Sequence, residues 1–335
     1  MREEQLVAYL QHRMPQAQGI TVSNLAQIPG GASRETWSFD ARWTEGGREE
    51  TRGLVVRRDP AASLLETERH VEFQVYKSLQ GTAIPVPEVY WLETDPRWLE
   101  RPFFLMSRVR GETSPLLLAT ELYDKVRPKI ARQKVEILAR IHNLDWQSLG
   151  LDLLGAPPSP AYCAEVQIQK WESIIRQDAL EPQPVLELAL SWLKRHKPVA
   201  QRVCLVHADY RTGNFLVDEE GVIHGVLDWE MVHLGDPMED VAWACLRAWR
   251  WARDERIGAL MDREDWFRQY EECSGIKVDR EAVHFWEVLG NLKLATIFIT
   301  GARSFCEGRS QEIMLALASH VNPELEAELL NLIGG

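Results

Sequence analysis

Residues 207–214, HADYRTGN, place His207, Asp209, Arg211 and Asn214 in a polar stretch between two short apolar runs, VCLV and FLV. Runs of that length and composition read as buried strands, so the polar residues sit in a loop between them. Asp228 follows in LDWE, 228 − 214 = 14 residues after the asparagine, and GDPMEDVAW adds Asp236 and Asp240. These are groups that take a proton or hold a hard cation. Asp and Asn also cap ordinary turns, which is the plain alternative for Asp209 and Asn214. Asp228 is harder to treat so, because it follows GVL and precedes Trp229, where a carboxylate is costly without a cation or donors around it.

HADYRTGN has the HxDxxxxN spacing of a kinase catalytic loop. With LDWE and GDPMEDVAW after it, and GGASRETW, VVRR and PFFLMSRVRGE before it, the chain resembles the aminoglycoside phosphotransferase and choline kinase branch of the protein-kinase-like superfamily. Within that branch it is most similar to the phosphotransferase domains related to those fused to some acyl-CoA dehydrogenases. DWE stands where protein kinases have DFG, as is usual in this branch. The resemblance implies transfer of a γ-phosphate from ATP or GTP to a hydroxyl of a small molecule, with Mg2+. Asp209 would take the hydroxyl proton, while Asn214 and Asp228 would bind the ion, which keeps waters and phosphate oxygens as its other ligands. His207 would be a structural member of the loop, hydrogen-bonded to backbone near Asp228. Glu230 is open between approaching the metal, binding an arginine and facing solvent. Asp236 is expected to cap the helix entered through Pro237, and Asp240 to favour that helix dipole or to pair with Arg211.

The same resemblance locates a nucleotide site in the first part of the chain. LVVRR carries Arg57 where the usual residue is Lys, and strand alternation sends Arg57 and Arg58 to opposite sides, one toward the ligand and one toward solvent. Leu65, Glu68, Glu72, Val75 and Leu79 form one helical stripe, so Glu72 lies inside an apolar face and needs a cation. It is the expected partner of Arg57, with Glu68 next. In GGASRETW, backbone amides and Ser33 would reach phosphate oxygens. The Ser107 carbonyl and Val109 amide would hydrogen-bond adenine.

These groups require a particular set of supports. An amphipathic helix opens the chain, and three strands then come from SNLAQIPGG, RETWSFDARW and RGLVVRR. A helix follows in SLLETERHVEFQVYKSLQG, with Ser63 as N-cap and Gly81 as stop, and VPEVYWLE and PFFLMSRV add two strands. RGETS marks a lobe boundary: 1–109 as a nucleotide-binding lobe with an antiparallel sheet, 110–335 as a mainly helical lobe with the catalytic loop, metal site and acceptor pocket. The expected class is therefore α+β, two-lobed and protein-kinase-like, with the ligand in a cleft between lobes. Apolar spacing predicts long helices near 120–144, 183–196, 236–255 and 281–304. Trp243, Trp249 and Trp251 cannot share one helical face; they are expected in core packing, or else as an apolar wall of the acceptor pocket.

Composition narrows the classes further. The 335 residues carry a formal charge of −12, which disfavours general binding of nucleic acid. Five cysteines without a CxxC pair suggest neither a disulfide framework nor a zinc site. No run of about 18 apolar residues is evident and the start lacks a secretory pattern, so no membrane partner and a cytoplasmic location are expected. The acceptor stays open among a hydroxylated acyl compound, an amino alcohol, a sugar and an aminoglycoside-like molecule. The rivals to a kinase are a nucleotide-binding pseudokinase, and a phosphohydrolase using His207, Asp209 and Asp228 as metal ligands.

Overall fold

The computed structural model describes residues 1–28, 35–59, 69–250, 255–309, 317 and 319–334. The chain divides into two compact units, one of Met1–Gln80 with Val86–Val109, the other of Gly81–Pro85 with Arg110–Gly335.

The first unit begins with α1 (Glu3–Arg13), followed by β1 (Gln18–Ile28), β2 (Glu35–Glu45) and β3 (Arg48–Arg58). After α2 (Arg69–Leu79) come β4 (Val89–Glu93) and β5 (Phe103–Ser107), giving an antiparallel sheet of order β1-β2-β3-β5-β4. Phe39, Ala41 and Trp43 recur at the strand period of two and bury one face of β2 together with Leu6, Tyr9 and Leu10 of α1. On β5, Phe103 and Leu105 join that core, whereas Phe104 meets Phe73 and Tyr76 of α2. Because both faces are covered, FFLM reads as an unbroken apolar run.

The second unit is mainly helical: α3 (Pro115–Leu118), α4 (Arg127–His142), α5 (Cys163–Asp178) and α6 (Pro184–Arg195) precede four short strands. Those are β6 (Cys204–Val206), β7 (Phe215–Val217), β8 (Ile223–Val226) and β9 (His233–Gly235). They form two separate two-stranded ladders, β6 with β9 and β7 with β8. Then come α7 (Met238–Trp243), α8 (Arg263–Ser274), α9 (Arg280–Cys306) and α10 (Asn322–Gly334). Gly111, at φ +126°, lies so close to β7 that a Cβ there would stand 2.7 Å from the Val217 amide nitrogen. Glu112 can therefore bridge to Val217 by paired backbone hydrogen bonds of 2.8 and 3.1 Å.

Three helix expectations need adjustment. The helix near 120–144 starts only at Arg127, because Pro128 lacks an N–H and suits a first turn; Glu121–Tyr123 is a separate 3-10 turn. The helix expected over 236–255 is six residues long, Met238–Trp243, and the chain turns extended at Leu246 before a 3-10 turn at Arg247–Trp249. All of Met238–Leu246 is buried, so apolar spacing could not mark where the helix ends. Helices α5, α8 and α10 fall outside the four predicted long helices. By length and composition α9 is apolar enough to cross a membrane, contrary to the sequence reading, but 83% of its apolar window is buried inside the protein. It packs against α5, α6, α7 and α10.

Candidate active site

In the first unit, cross-strand register explains which arginine does what. Arg57 lies opposite Phe104 and Arg58 opposite Phe103, so they leave the sheet on its two different faces. Arg57 meets α2, where its Nη2 is 3.0 Å from Oε1 of Glu72; both side chains are buried. Arg58 is buried as well, giving Nη2 to Glu35 at 2.5 Å and Nη1 to the Leu99 carbonyl at 2.8 Å. It does not face solvent as alternation alone would have it, because the α1 side of the sheet is also covered. Ser107 donates its amide to the Glu88 carbonyl at 2.7 Å and accepts the Glu88 amide on Oγ at 2.9 Å. Val109 lies past the end of β5, half-buried. Ser33, Ser63 and Glu68 lie outside the described residues.

In the second unit, the loop between β6 and β7 is held from several directions. His207 is buried, with Nε2 donating to the Leu227 carbonyl at 2.9 Å and Nδ1 accepting the Asp209 amide at 3.1 Å. A carbonyl can only accept and an amide can only donate, so these partners assign the tautomer. Burial lowers the pKa of His207 and favours that neutral form. Ala208 adopts φ +65°, costly for a residue with a Cβ, and is clamped at both ends. Its amide donates to Asp240 Oδ1 at 2.8 Å, and its carbonyl accepts from Lys293 Nζ at 2.6 Å.

The Asp209 carboxylate is thereby aimed and then gripped. Oδ1 accepts from Trp243 Nε1 at 2.9 Å and Arg211 Nε at 3.1 Å; Oδ2 accepts from Asn214 Nδ2 at 2.6 Å. The Asn214 amide nitrogen also donates to the Asp209 carbonyl at 2.9 Å, so the Asn214 oxygen is turned the other way. The Asn214 carbonyl accepts the Leu227 amide at 2.9 Å, continuing the β7–β8 ladder and bringing the next residue, Asp228, beside the loop. Asp228 sits at φ +63°, a second left-handed position, while Trp229 behind it is fully buried and packs on His207 with ring centres 4.5 Å apart. Glu230 is half-buried in the following 3-10 turn.

The carboxylates of GDPMEDVAW act differently from expectation in one case. Asp236 accepts the Met238 amide at 2.9 Å, as a cap would, and also Trp286 Nε1 at 2.9 Å; burial raises its pKa to about 6. Asp240 does not pair with Arg211. It accepts the amides of His207 and Ala208, each at 2.8 Å, and faces His142 Nε2 at 3.2 Å. Two adjacent buried amides need acceptors, and one carboxylate satisfies both. Arg211 turns instead to Asp209.

Reading the sequence missed Trp243 as a donor to Asp209 and Lys293 as a support. The signal for Lys293 was a single lysine in the long apolar helix; it is buried, 4.3 Å from the Trp243 ring centre and 3.7 Å from Glu239. Another buried cation, Lys134 on α4, lies 3.4 Å from Thr212 Oγ1 and 5.5–6.0 Å from the ring centres of Tyr210, Phe215 and Trp266. Burial pushes its pKa down to about 7. The unfolded chain then holds a proton that the folded chain lacks between about pH 7 and pH 10.5, so stability should rise with pH across that window. Lys134→Met should stabilise the protein by roughly 1–3 kcal/mol near pH 6. The gain should fade toward pH 10, as chemical denaturation at several pH values would measure.

Residues 24–277 match the family model described as the phosphotransferase enzyme family. The chain belongs to that family. The chain is 33% identical over 232 residues to acyl-CoA dehydrogenase family member 10 of Mus musculus, a match covering 65% of the chain and 21% of that protein. It is 28% identical over 234 residues to hygromycin-B 4-O-kinase of Escherichia coli, covering 66% of the chain and 62% of the kinase. The chain thus spans about a fifth of the first relative and less than two thirds of the second. Among solved structures it is similar to a thermostable mutant of aminoglycoside phosphotransferase APH(4)-Ia in ternary complex with ADP and hygromycin B. That similarity has a TM-score of 0.58 and 19% identity, covering 98% and 99% of the two chains. A GDP complex of a mutant aminoglycoside 2'-phosphotransferase-IIIa gives a TM-score of 0.68 at 15% identity, covering 99% and 100%. These neighbours place the chain in the protein-kinase-like fold, with an antiparallel sheet in its N-terminal region and helices in its C-terminal region.

Proposed function

We propose that this chain is an ATP- or GTP-dependent, Mg2+-requiring O-phosphotransferase that moves the γ-phosphate to a hydroxyl of a small molecule. The observation that carries the reading is the set of three N–H donors on the Asp209 carboxylate. They fix it in direction, which a proton acceptor needs and a turn cap does not. Asp209 would take the acceptor's proton while the acceptor oxygen forms its bond to phosphorus and the bond to the nucleoside diphosphate breaks. Arg57, buried beside Glu72, is the cation proposed for the nucleotide's phosphates.

The donor set suits Mg2+. Asn214 presents an amide oxygen because its nitrogen is committed to Asp209, and Asp228 adds a carboxylate one residue beyond the hydrogen bond that joins the two segments. When bound, the ion would neutralise charge on the phosphates. His207 does not suit a phosphohydrolase metal site, since both ring nitrogens already have backbone partners. The described residues contain no group of three or more His, Cys, Asp and Glu that could hold a metal ion.

The test supplies ATP or GTP, with Mg2+ or with EDTA, against hydroxylated acyl compounds, amino alcohols, sugars and hygromycin B. Nucleoside diphosphate release and product mass are followed together. A Mg2+-dependent phosphorylated product is expected from one acceptor class. Nucleotide binding with no product from any class would favour the pseudokinase reading.

A further inference from the structure

Arg211 stands in the loop between Asp209 and Asn214, and its guanidinium is set in place from three sides. Nε donates to Asp209 Oδ1 at 3.1 Å, the Trp249 ring lies 4.8 Å away, and Nη1 rests over Gly213, where a Cβ would collide with it. The missing side chain at 213 is what lets the group lie there. An arginine kept only for an ion pair with a carboxylate commonly engages it through two parallel N–H groups. Here the pair uses Nε alone.

The rest of the fork is uncommitted. Nη1 and Nη2 make no hydrogen bond among the described residues, and neither is enclosed: the side chain is 24% exposed. Asp209 is the one ion-pair partner of Arg211 among those residues, and the Lys134 ammonium is near enough to repel it. A planar pair of N–H donors, fixed beside a carboxylate and open to solvent, matches an oxyanion in geometry and in charge. The side on which it stands also matters. Arg211 and Trp243 are on Oδ1 of Asp209, whereas Asn214, proposed for the ion and hence for the nucleotide's phosphates, is on Oδ2. An anion on the Nη groups therefore approaches from the oxygen that Asn214 does not hold.

We propose that Nη1 and Nη2 of Arg211 bind an oxyanion carried by the acceptor, so that the acceptor is a hydroxylated carboxylate or phosphate ester and not a neutral or polycationic alcohol. That the oxyanion belongs to the acceptor rests on the phosphotransferase reading above; that Arg211 binds an oxyanion does not. The transferred phosphoryl group is the other source of the same chemistry, and the dependence on acceptor and on nucleotide tells the two apart.

The probes are lactate, β-hydroxybutyrate and ε-hydroxyhexanoate, each beside its neutral amide, and glycerol phosphate beside glycerol. Titration calorimetry on the full chain without nucleotide should show one of these anions binding about tenfold tighter than its neutral counterpart. Transfer from ATP or GTP with Mg2+ should favour the same anion by a similar ratio in kcat/KM. In Arg211→Gln that ratio should fall to near unity; any loss from disturbing Asp209 is common to both members of a pair and cancels. Gly213→Ala, which displaces the guanidinium tip and keeps its charge, should lower the ratio as well. Equal affinity within every pair for the unaltered protein would overturn the proposal, and that comparison needs no variant to fold. No binding of any anion, or a preference that survives Arg211→Gln, would overturn it equally. So would a loss in Arg211→Gln shared by anion and neutral counterpart together with a raised KM for nucleotide, because the oxyanion would then be the phosphoryl group. Preferential binding of an anion without transfer to any acceptor would uphold the oxyanion site and count against the kinase reading on which the acceptor assignment rests. Transfer to anion and neutral counterpart alike would leave only the kinase reading.

Discussion

Asp209→Asn is expected to lower phosphoryl transfer by about 10²–10⁴-fold while changing the KM for nucleotide by less than about threefold. The substitution keeps the shape and removes the negative charge proposed to receive the acceptor's proton. The nucleotide's proposed cation, Arg57, is untouched. A purely structural role predicts a different split. Three donors converge on the carboxylate, from Trp243, Arg211 and Asn214, so a carboxamide must turn its own N–H groups toward at least one of them. That conflict alone should cost about 1–2 kcal/mol of stability and little activity in the molecules that remain folded. Steady-state kinetics with thermal melting on the same preparation separates the two. Retained kcat in a well-folded variant would remove Asp209 from the role of base.

Asp240→Ala should be the more damaging change to the fold, by about 3–5 kcal/mol or a melting temperature lower by roughly 10 °C. The aspartate is fully buried and is the acceptor for two consecutive amides, His207 and Ala208, and for His142 Nε2. Alanine would leave those donors without acceptors in a place water does not reach. Ala208 would also lose one of the two clamps on its left-handed backbone, so Asp209 would be misdirected. The pH dependence has a definite sign. Burial works against the charge of Asp240, yet the hydrogen bond and charge of His142, with the amide of His207, hold its pKa below the ordinary 3.8. A depressed carboxylate stabilises above its unfolded pKa and loses that contribution as pH falls through the folded value. The unaltered protein should therefore lose part of its stability below about pH 4, and Asp240→Ala should show a flatter acid limb. Melting curves across the acid range would show equal slopes if Asp240 carried no such charge.

The sheet of the first unit was readable because its strands alternate or run apolar at local periods. Glu72 was legible as a charge within an apolar helical stripe, with the family resemblance selecting it over Glu68. The end of α7 was not readable, since a segment buried on all sides carries no periodic contrast. The fate of Arg58 was misjudged for a related reason: alternation says which side of a strand a residue leaves, not whether that side is covered.

For the site itself, the local spacing of His207, Asp209 and Asn214, with Asp228 beyond, determined by itself the kinds of groups present and their membership in one loop system. A hydrogen bond between residues five apart, such as Asn214 to Asp209, is a local matter, and sequence distance nearly implies it. What only the tertiary structure decided is what surrounds that loop. Asp240 is 33 residues from the His207 amide it accepts, Trp243 is 34 from Asp209, and Lys293 is 85 from the Ala208 carbonyl. Nothing in the identity of a lone Trp or Lys names a partner at that range. The pairing follows from helix packing, which buries each polar group and obliges it to find the nearest complementary atom.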